Sequence, residues 1–472
     1  MYVGIAMISV SRSISKAGIY ASILGFAYVT FVNLYCVHLL LKARNRFKNT
    51  RIVDVCDLTA KLYGEQYRVW MVVALALTNI LFLMCYTVYF GEQLDQLVCE
   101  TFELSECGHP HFYAITVNLL LLPAVCQRQL RSIGFFSLVI LVITLSSLGM
   151  IAYICVQVYR QPLDVTQKEY GINLTEADRQ YSYWNAAALP MFCATMMNIF
   201  EGNQQVLNMY AEADEPGQFF VTIVAVSVFL AIFLGISLGV LGYLAFGDQC
   251  KDTILFNMPN EAAIGVAAKA CYVFTIAGSF VLLIQPIYHV IENAEWYQSL
   301  FEDESQADQS EEAENLIQKD LSIEEDLHSG DEPRKTYAID RPRRWAKFLF
   351  VRTLVVLAVT AASFTVPSLS AMLTLGGSIM GTLMTIVVPV MFYNRAYSGE
   401  KKHLDLQRSS PAKNDEEPQE DAEAETEPAD TRKLIRRVNL VVLVFGCSLG
   451  AVGFVNAVQE VFFSPQLINN LE

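Results

Sequence analysis

Apolar positions in this chain come in long blocks, and the polar positions collect between them. Neither the strict alternation of a half-buried strand nor the three-to-four spacing of a surface helix dominates. Runs of about 20 apolar residues recur instead, each long enough to cross a bilayer as a helix. They fall at residues 2–18, 20–42, 69–94, 111–126, 133–157, 184–210, 217–245, 262–293, 344–366, 369–394 and 436–462. The pattern predicts an all-α polytopic membrane protein of about eleven transmembrane helices.

Composition supports this over the two or three soluble domains that 472 residues could form: 53% of residues are hydrophobic, 17% are charged, and the mean hydropathy is +0.35. The net charge of −15 is concentrated in two places. Residues 301–333 hold 13 acids and one lysine, and residues 400–432 hold 11 acids and five bases, so the rest of the chain is slightly positive. Tracts of this kind bury too little apolar surface to fold and are expected to be disordered loops. They argue against a nucleic-acid partner; the partner the composition calls for is the lipid bilayer.

The basic residues give an orientation. KARNRFKNTR (42–51), Arg128 and Arg131, RPRRWAK (341–347) and RKLIRR (432–437) fall on one side, while the loops near 95–110 and 246–261 and the tail after Glu460 carry Lys251 alone. The positive-inside rule places the amino terminus in the cytosol and the carboxyl terminus outside or in a lumen. Three details agree. Asn173, in NLT, is a glycosylation acceptor in a non-cytosolic loop. Cys99, Cys107 and Cys250 flank spans on that oxidising side, so a bridge Cys99–Cys250 or Cys107–Cys250 is expected, the two being inseparable from sequence. Glu312, Leu316 and Ile317, in EAENLI, have the form of an acidic dileucine signal where cytosolic sorting adaptors can reach it. The remaining cysteines show no metal-ligand spacing, and no metal site is expected.

The sixth block breaks the pattern. NIFEGNQQVL (Asn198 to Leu207) places a carboxylate, a glycine and three amides after an apolar run from Trp184 to Phe200. An ionisable group within a span is costly and marks a functional site by default; it is tolerated where a broken helix lines a polar cavity. Gly202 permits the turn, and Asn203, Gln204 and Gln205 offer partners for loosened backbone groups. A plainer reading puts Glu201 at the cytosolic end of the span, about 26 Å along a helix from Trp184. The first block has a matching irregularity, Gly4 and Ala6 followed by SVSRSISKAG. Interruptions in the first and sixth spans point to an inverted-repeat transporter with its site near mid-membrane. Residues 1–157 are then the first repeat (spans one to five), 158–183 a non-cytosolic loop, and 184–394 the second repeat (spans six to ten) with an acidic cytosolic insertion at 295–343. Residues 395–435 form a second acidic cytosolic loop, and 436–472 the eleventh span and a non-cytosolic tail.

Several stretches resemble motifs of the amino acid/auxin permease superfamily, in particular its proton-coupled amino acid transporter branch. GIAMISVSRSISKAG (4–18) resembles the first-span pattern GxGxLxLPxAxxxAG, NIFEGNQQVL the sixth-span FxFEG motif, and LGYLAFGDQCKDTILFNMP (241–259) the seventh-span exit. Residues 351–393, with Val366-Pro367, Gly376-Gly377-Ser378 and Pro389, are similar to spans nine and ten. The resemblance covers nearly the whole chain outside the acidic tracts. It implies a LeuT-type fold, a 5+5 inverted repeat plus one extra helix, and secondary transport of small neutral amino acids by proton-coupled symport, with Na+ as the alternative coupling ion and no cofactor. On the matching positions, Gly4, Ile5 and Ala6 stand for the unwound stretch that receives the substrate carboxylate, and Phe200, Glu201 and Gly202 for the sixth-span break. Ser279 falls in the span-eight region that completes the site. A carboxylate partly removed from water, as Glu201 would be, is the kind of group that exchanges a coupling proton. The membrane implied is endolysosomal or plasma membrane.

The chain also departs from that pattern. It opens three residues before Gly4, so most of the first half-helix is absent, and the branch's histidine there has no counterpart. Ala6 replaces a glycine, and Ser11-Arg12 replaces Pro-Leu. Arg12 either pairs with Glu201, which would remove the latter's proton, or snorkels to the outer interface. These departures favour the rival reading, a non-transporting receptor-like or structural membrane subunit that keeps the fold. No phosphate-binding loop or nucleophile elbow suggests an enzyme.

Overall fold

The computed structural model describes residues 4–47, 52–102, 108–126, 133–211, 213, 216–292, 342–365, 369–398 and 429–463, and among these it is helical with no strand. In order the helices are α1 (Ile5–Ile8), α2 (Val10–Ala17), α3 (Ile19–Asn45), α4 (Val55–Tyr63), α5 (Glu65–Phe102), α6 (Pro110–Val125), α7 (Ile133–Arg160), α8 (Leu163–Tyr170), α9 (Leu189–Met197), α10 (Val206–Ala211), α11 (Pro216–Val228), α12 (Ser237–Phe246), α13 (Ala263–Glu292), α14 (Pro342–Ser363), α15 (Leu369–Gly376), α16 (Val388–Ala396) and α17 (Ala429–Phe463). Wider or tighter turns bridge three pairs: a 3-10 stretch at Asn198–Gln205, and π stretches at Phe229–Ile236 and between α15 and α16. A helical segment stands at every predicted apolar block, and among the described residues six helices are long and apolar enough to cross a membrane. The acidic tract 301–333, residues 400–428 of the second, Cys107, Pro367 and the signal Glu312, Leu316, Ile317 lie outside the described residues, while the last four residues of the second tract open α17.

Two short helices were not legible as spans because they are polar connectors. Asp54 caps α4, accepting from Asp57 N at 2.6 Å, and Gly64 ends it at φ +104°. Pro162 precedes α8, and Gly171 ends it in the left-handed region (φ +65°), where glycine is favoured.

Between helices in lipid, burial of apolar surface gives little net drive, so close packing and internal hydrogen bonds hold the bundle. Gly239 and Gly242 on α12 face Val10 and Ser11 on α2, each leaving no room for a Cβ. Asn118 on α6 donates to Thr87 on α5 (3.2 Å) and Thr360 on α14 (2.7 Å). Arg352 on α14, 5% exposed, makes another such junction. It donates Nη2 and Nε to Glu292 at the end of α13 (2.8 and 3.2 Å) and Nη1 to the Val125 carbonyl closing α6 (3.0 Å). The rings of Phe348 and Tyr288 lie 4.2 and 4.4 Å from its guanidinium carbon. This junction stands at what we term the basic end, where α3, α13, α16 and the start of α17 also lie.

The far end is organised by two loops. The strap 171–185 docks on the first, second and seventh spans: Ile19 N and Tyr20 N donate to the Ser182 and Tyr183 carbonyls (3.1 and 3.0 Å), Asn185 N to Ala17 O (2.8 Å), and Tyr181 OH to Leu244 O (2.8 Å). Gly18 and Gly247, both at positive φ, are the notches that admit it, since a Cβ at either would overlap strap backbone. The loop 252–262 is instead fastened by hydrogen bonds to other spans. Gln96 on α5 donates to Phe256 O (3.1 Å), Lys269 on α13 to Asn260 Oδ1 (2.6 Å), and Ser370 N on α15 to Asp252 Oδ2 (3.3 Å). The two loops meet where Gly171 lies against the Glu261 carboxylate. Asn173 is exposed on the strap, as a glycosylation acceptor requires.

Arg352→Ala should cost about 3 kcal/mol by leaving Glu292 and the Val125 carbonyl without their partner, read as a fall in unfolding temperature in detergent. Adding Glu292→Met should recover part of that loss. Asp178, in the strap, accepts from Thr175 Oγ1 (2.6 Å), Thr175 N (2.8 Å) and Gln249 Nε2 (3.1 Å), and these bonds hold its carboxyl below the ordinary 3.8. Its contribution is therefore complete above pH 3.8 and is lost as pH falls through the lowered value. Asp178→Asn should speed amide exchange in the strap at neutral pH; unchanged exchange would show that the strap does not depend on it.

Candidate functional site at the interrupted first and sixth spans

Gly4 is extended (φ −108°, ψ −168°), α1 is a single turn, and Ser9 (ψ −2°) offsets it from α2. The irregularity is thus shorter than the expected unwound stretch. Ile5 and Ala6 are helical and 1% and 2% exposed, because their side chains bury in the core, and Gly4 alone is extended. Its carbonyl accepts from Tyr272 OH on α13 (2.9 Å). The Tyr272 ring meets Tyr89 on α5 edge to face, with centroids 6.3 Å apart. Tyr89 is fully buried, and its hydroxyl has no partner.

In the sixth span α9 ends at Met197, and Phe200 leaves helical geometry (φ −97°, ψ 25°) inside the 3-10 stretch. The helix resumes as α10, so Glu201 stands in a break within the span and not at its end. The side chain of Glu201 lies outside the described ones, as therefore does the Arg12–Glu201 pair. Arg12 itself donates Nη1 to the Cys250 carbonyl (3.0 Å) at the far end of the seventh span.

The amides around the break do not serve its own backbone, which keeps its tightened turn. They reach other spans. Asn198 donates to the Leu373 carbonyl on α15, Asn203 to Asn33 on α3, and Gln204 to Asn79 Oδ1 on α5 (2.9 Å). Thr195 and Thr374 share a hydrogen bond at 3.1 Å, and Gly377 lets α15 approach so closely that a Cβ would overlap the Ala194 carbonyl. A narrow cavity opens between Phe200 and Gln204 on the sixth span, Phe82 on the third and Met384 on the tenth. The Asn198 Oδ1 and Gln204 Oε1 acceptors have no partner. Unpartnered amide oxygens can take an ammonium and an unpartnered hydroxyl can donate to a carboxylate, so the region offers both halves of what a zwitterion needs.

Ser279 lies on α13, partly buried, two turns beyond Tyr272, which is the residue α13 does bring to Gly4. Sequence reasoning missed Tyr89 and Tyr272, single aromatics in apolar runs whose spacing carries no signal. Asn33 and Asn79 were detectable, since a buried amide within a span needs a partner. The expected bridge to Cys250 is corrected. Cys250 is a free, buried thiol whose Sγ lies 3.7 Å from the Gly242 carbonyl, whereas Cys99 is disulfide-bonded. The fold turns the Cys250 thiol inward at the foot of the seventh span, where it is buried. Among the described residues no group of three or more metal-ligating side chains occurs.

Comparison with known proteins agrees with this architecture. Residues 1–413 match the family described as Transmembrane amino acid transporter protein. Vacuolar amino acid transporter 4 of Saccharomyces cerevisiae is 22% identical over 298 residues, 62% of this chain and 39% of the yeast protein, so the chain spans well under half that relative's length. Amino acid transporter AVT3B of Arabidopsis thaliana is 19% identical over 403 residues, 84% of this chain and 83% of the plant protein. The crystal structure of MhsT in complex with L-phenylalanine superposes with a TM-score of 0.53 at 11% identity, covering 97% of this chain and 96% of that one, and so shares the LeuT-type fold.

Tyr272→Phe should cost about 1 kcal/mol and raise amide exchange at residues 4–8, which would lose the hydrogen bond from α13 to the Gly4 carbonyl. Exchange left unchanged would show that the first-span irregularity is held by packing alone.

Proposed function

The chain belongs to the transmembrane amino acid transporter family, and from that premise we propose that it moves small neutral amino acids across a membrane by proton-coupled symport. The observation that carries this reading is the break at Phe200 lying beside the turn that follows Gly4, with buried acceptors and the Tyr89 hydroxyl left without partners. The near-complete burial of Ile5, Ala6 and Phe200 supports a substrate with a short, uncharged side chain. The relatives named as amino acid transporters and the L-phenylalanine in MhsT support the amino acid class. Glu201, in the break, is the group we assign to the coupling proton, ahead of Na+ coupling.

The basic end faces the cytosol on this reading, with the amino terminus there. The exposed Asn173 and the oxidised Cys99, both towards the far end, support a lumenal or extracellular far side. The vacuolar relative favours an endolysosomal membrane. The second reading, a fold-retaining subunit that does not transport, is favoured by one observation: Tyr272 already occupies the Gly4 carbonyl.

Proteoliposomes holding the purified chain should take up labelled alanine, glycine or proline when the outside is acid. Tyr89→Phe should weaken uptake about tenfold by removing one hydrogen bond to a charged group, and Glu201→Gln should abolish its dependence on the gradient. Folded protein that takes up none of them would decide for the non-transporting subunit.

A further inference from the structure

The basic end holds a second constellation, away from the interrupted spans. Tyr397, which follows α16, is approached by cations from two other spans. Arg46, at the end of α3, places its guanidinium carbon 5.6 Å from the ring centroid, and Arg436 on α17 donates Nη2 to the Tyr397 carbonyl at 3.0 Å. The Tyr393 ring stacks on Tyr397 at 4.6 Å and backs the group. The register is fixed one turn along α17 by Asn439, which is 0% exposed, donates to Asn394 Oδ1 (2.9 Å) and accepts from Tyr35 OH (2.6 Å). Spans two, ten and eleven are therefore tied together at the level where both arginines reach Tyr397.

The surface of α17 next to this point changes character abruptly. Arg436 and Arg437 are exposed, and Leu440, Val441, Val444 and Phe445 beyond them are 61%, 66%, 58% and 52% exposed. The exposed cations of α17 are thus followed directly by a bare apolar face of the same helix. We propose that Arg46 and Arg436, gathered on Tyr397, hold the phosphate headgroup of an anionic phospholipid whose acyl chains lie along the exposed face of α17.

The acidic tract 400–432, with 11 acids and five bases, is tethered at the same place and is the competing occupant. It offers charge but, as larger hydrocarbon side chains, only Leu404 and Leu406, far less than two acyl chains bring to the face at Leu440 and Val441, so the combination of head and tail favours the lipid. The positive-inside bias accounts for basic residues at span ends, but not for two guanidinium groups from different spans meeting at one tyrosine whose helix is locked by a buried asparagine.

The test is native mass spectrometry of the purified, delipidated full chain given dioleoyl phosphatidylinositol 4-phosphate or, as neutral comparator, dioleoyl phosphatidylcholine. The anionic lipid should be retained in preference. Arg46→Gln with Arg436→Gln should lower its retention about 30-fold, at about fivefold for each arginine near the surface. Arg46→Lys with Arg436→Lys should keep most of it, and Arg68→Gln, a cation of the same end paired with Asp57 on α4, should leave it unchanged. Equal retention by the double glutamine variant, shown folded by its unfolding temperature, overturns the proposal. So does binding of soluble inositol 1,4-bisphosphate as tight as that of the lipid, which would make the ligand a free phosphate. If the wild type retains no lipid but a chain with the acids between 415 and 427 neutralised does, the tract is the occupant and the proposal fails.

Discussion

Inside a bilayer a broken helix has no water to turn to, and every polar group that the break exposes must find its partner in protein. The sixth span meets this constraint twice over. Its backbone tightens into 3-10 turns and keeps bonding to itself, while Asn198, Asn203 and Gln204 reach out to the tenth, second and third spans. The break is therefore not a loose hinge. It is fastened to three neighbours by side chains that would be expensive to leave unpaired, and Asn198 Oδ1 and Gln204 Oε1 remain unpaired beside it.

The same constraint accounts for the rest of the bundle. Apolar side chains face outward along α17 and the other lipid-exposed surfaces, so what distinguishes one helix pairing from another is where glycines let backbones approach and where buried polar groups demand partners. Asn118, Asn439 and Arg352 each bind two other spans at a single point. The long helices are thus located by a few polar pins and glycine contacts.

Much of this was legible in the sequence. Block length and the distribution of arginine gave the spans and their common basic end. Glu201 with Gly202 marked the break, because an intact span rarely tolerates a carboxylate followed directly by a glycine. What the sequence did not carry was pairing between distant positions. Tyr272 meets Gly4 across most of the chain, and nothing local to either announces it. Cys250 was misjudged for the same reason: its polar surroundings in sequence suggested a loop cysteine, whereas the fold turns it inward beneath Gly242. The shortening of the unwound stretch to Gly4 follows from Ile5 and Ala6, whose side chains find core contacts that a sequence pattern cannot see.

The two loops of the far end have different allegiances. The strap 171–185 is hydrogen-bonded to the first, second and seventh spans, and the loop 252–262 to the third, eighth and tenth, and they touch where Gly171 meets Glu261. Any rocking of one set of spans against the other must open or shear that seam. An antibody fragment or an engineered cross-link that bridges it from outside would work as a brake, halting the molecule without entering the membrane or competing with whatever occupies its centre.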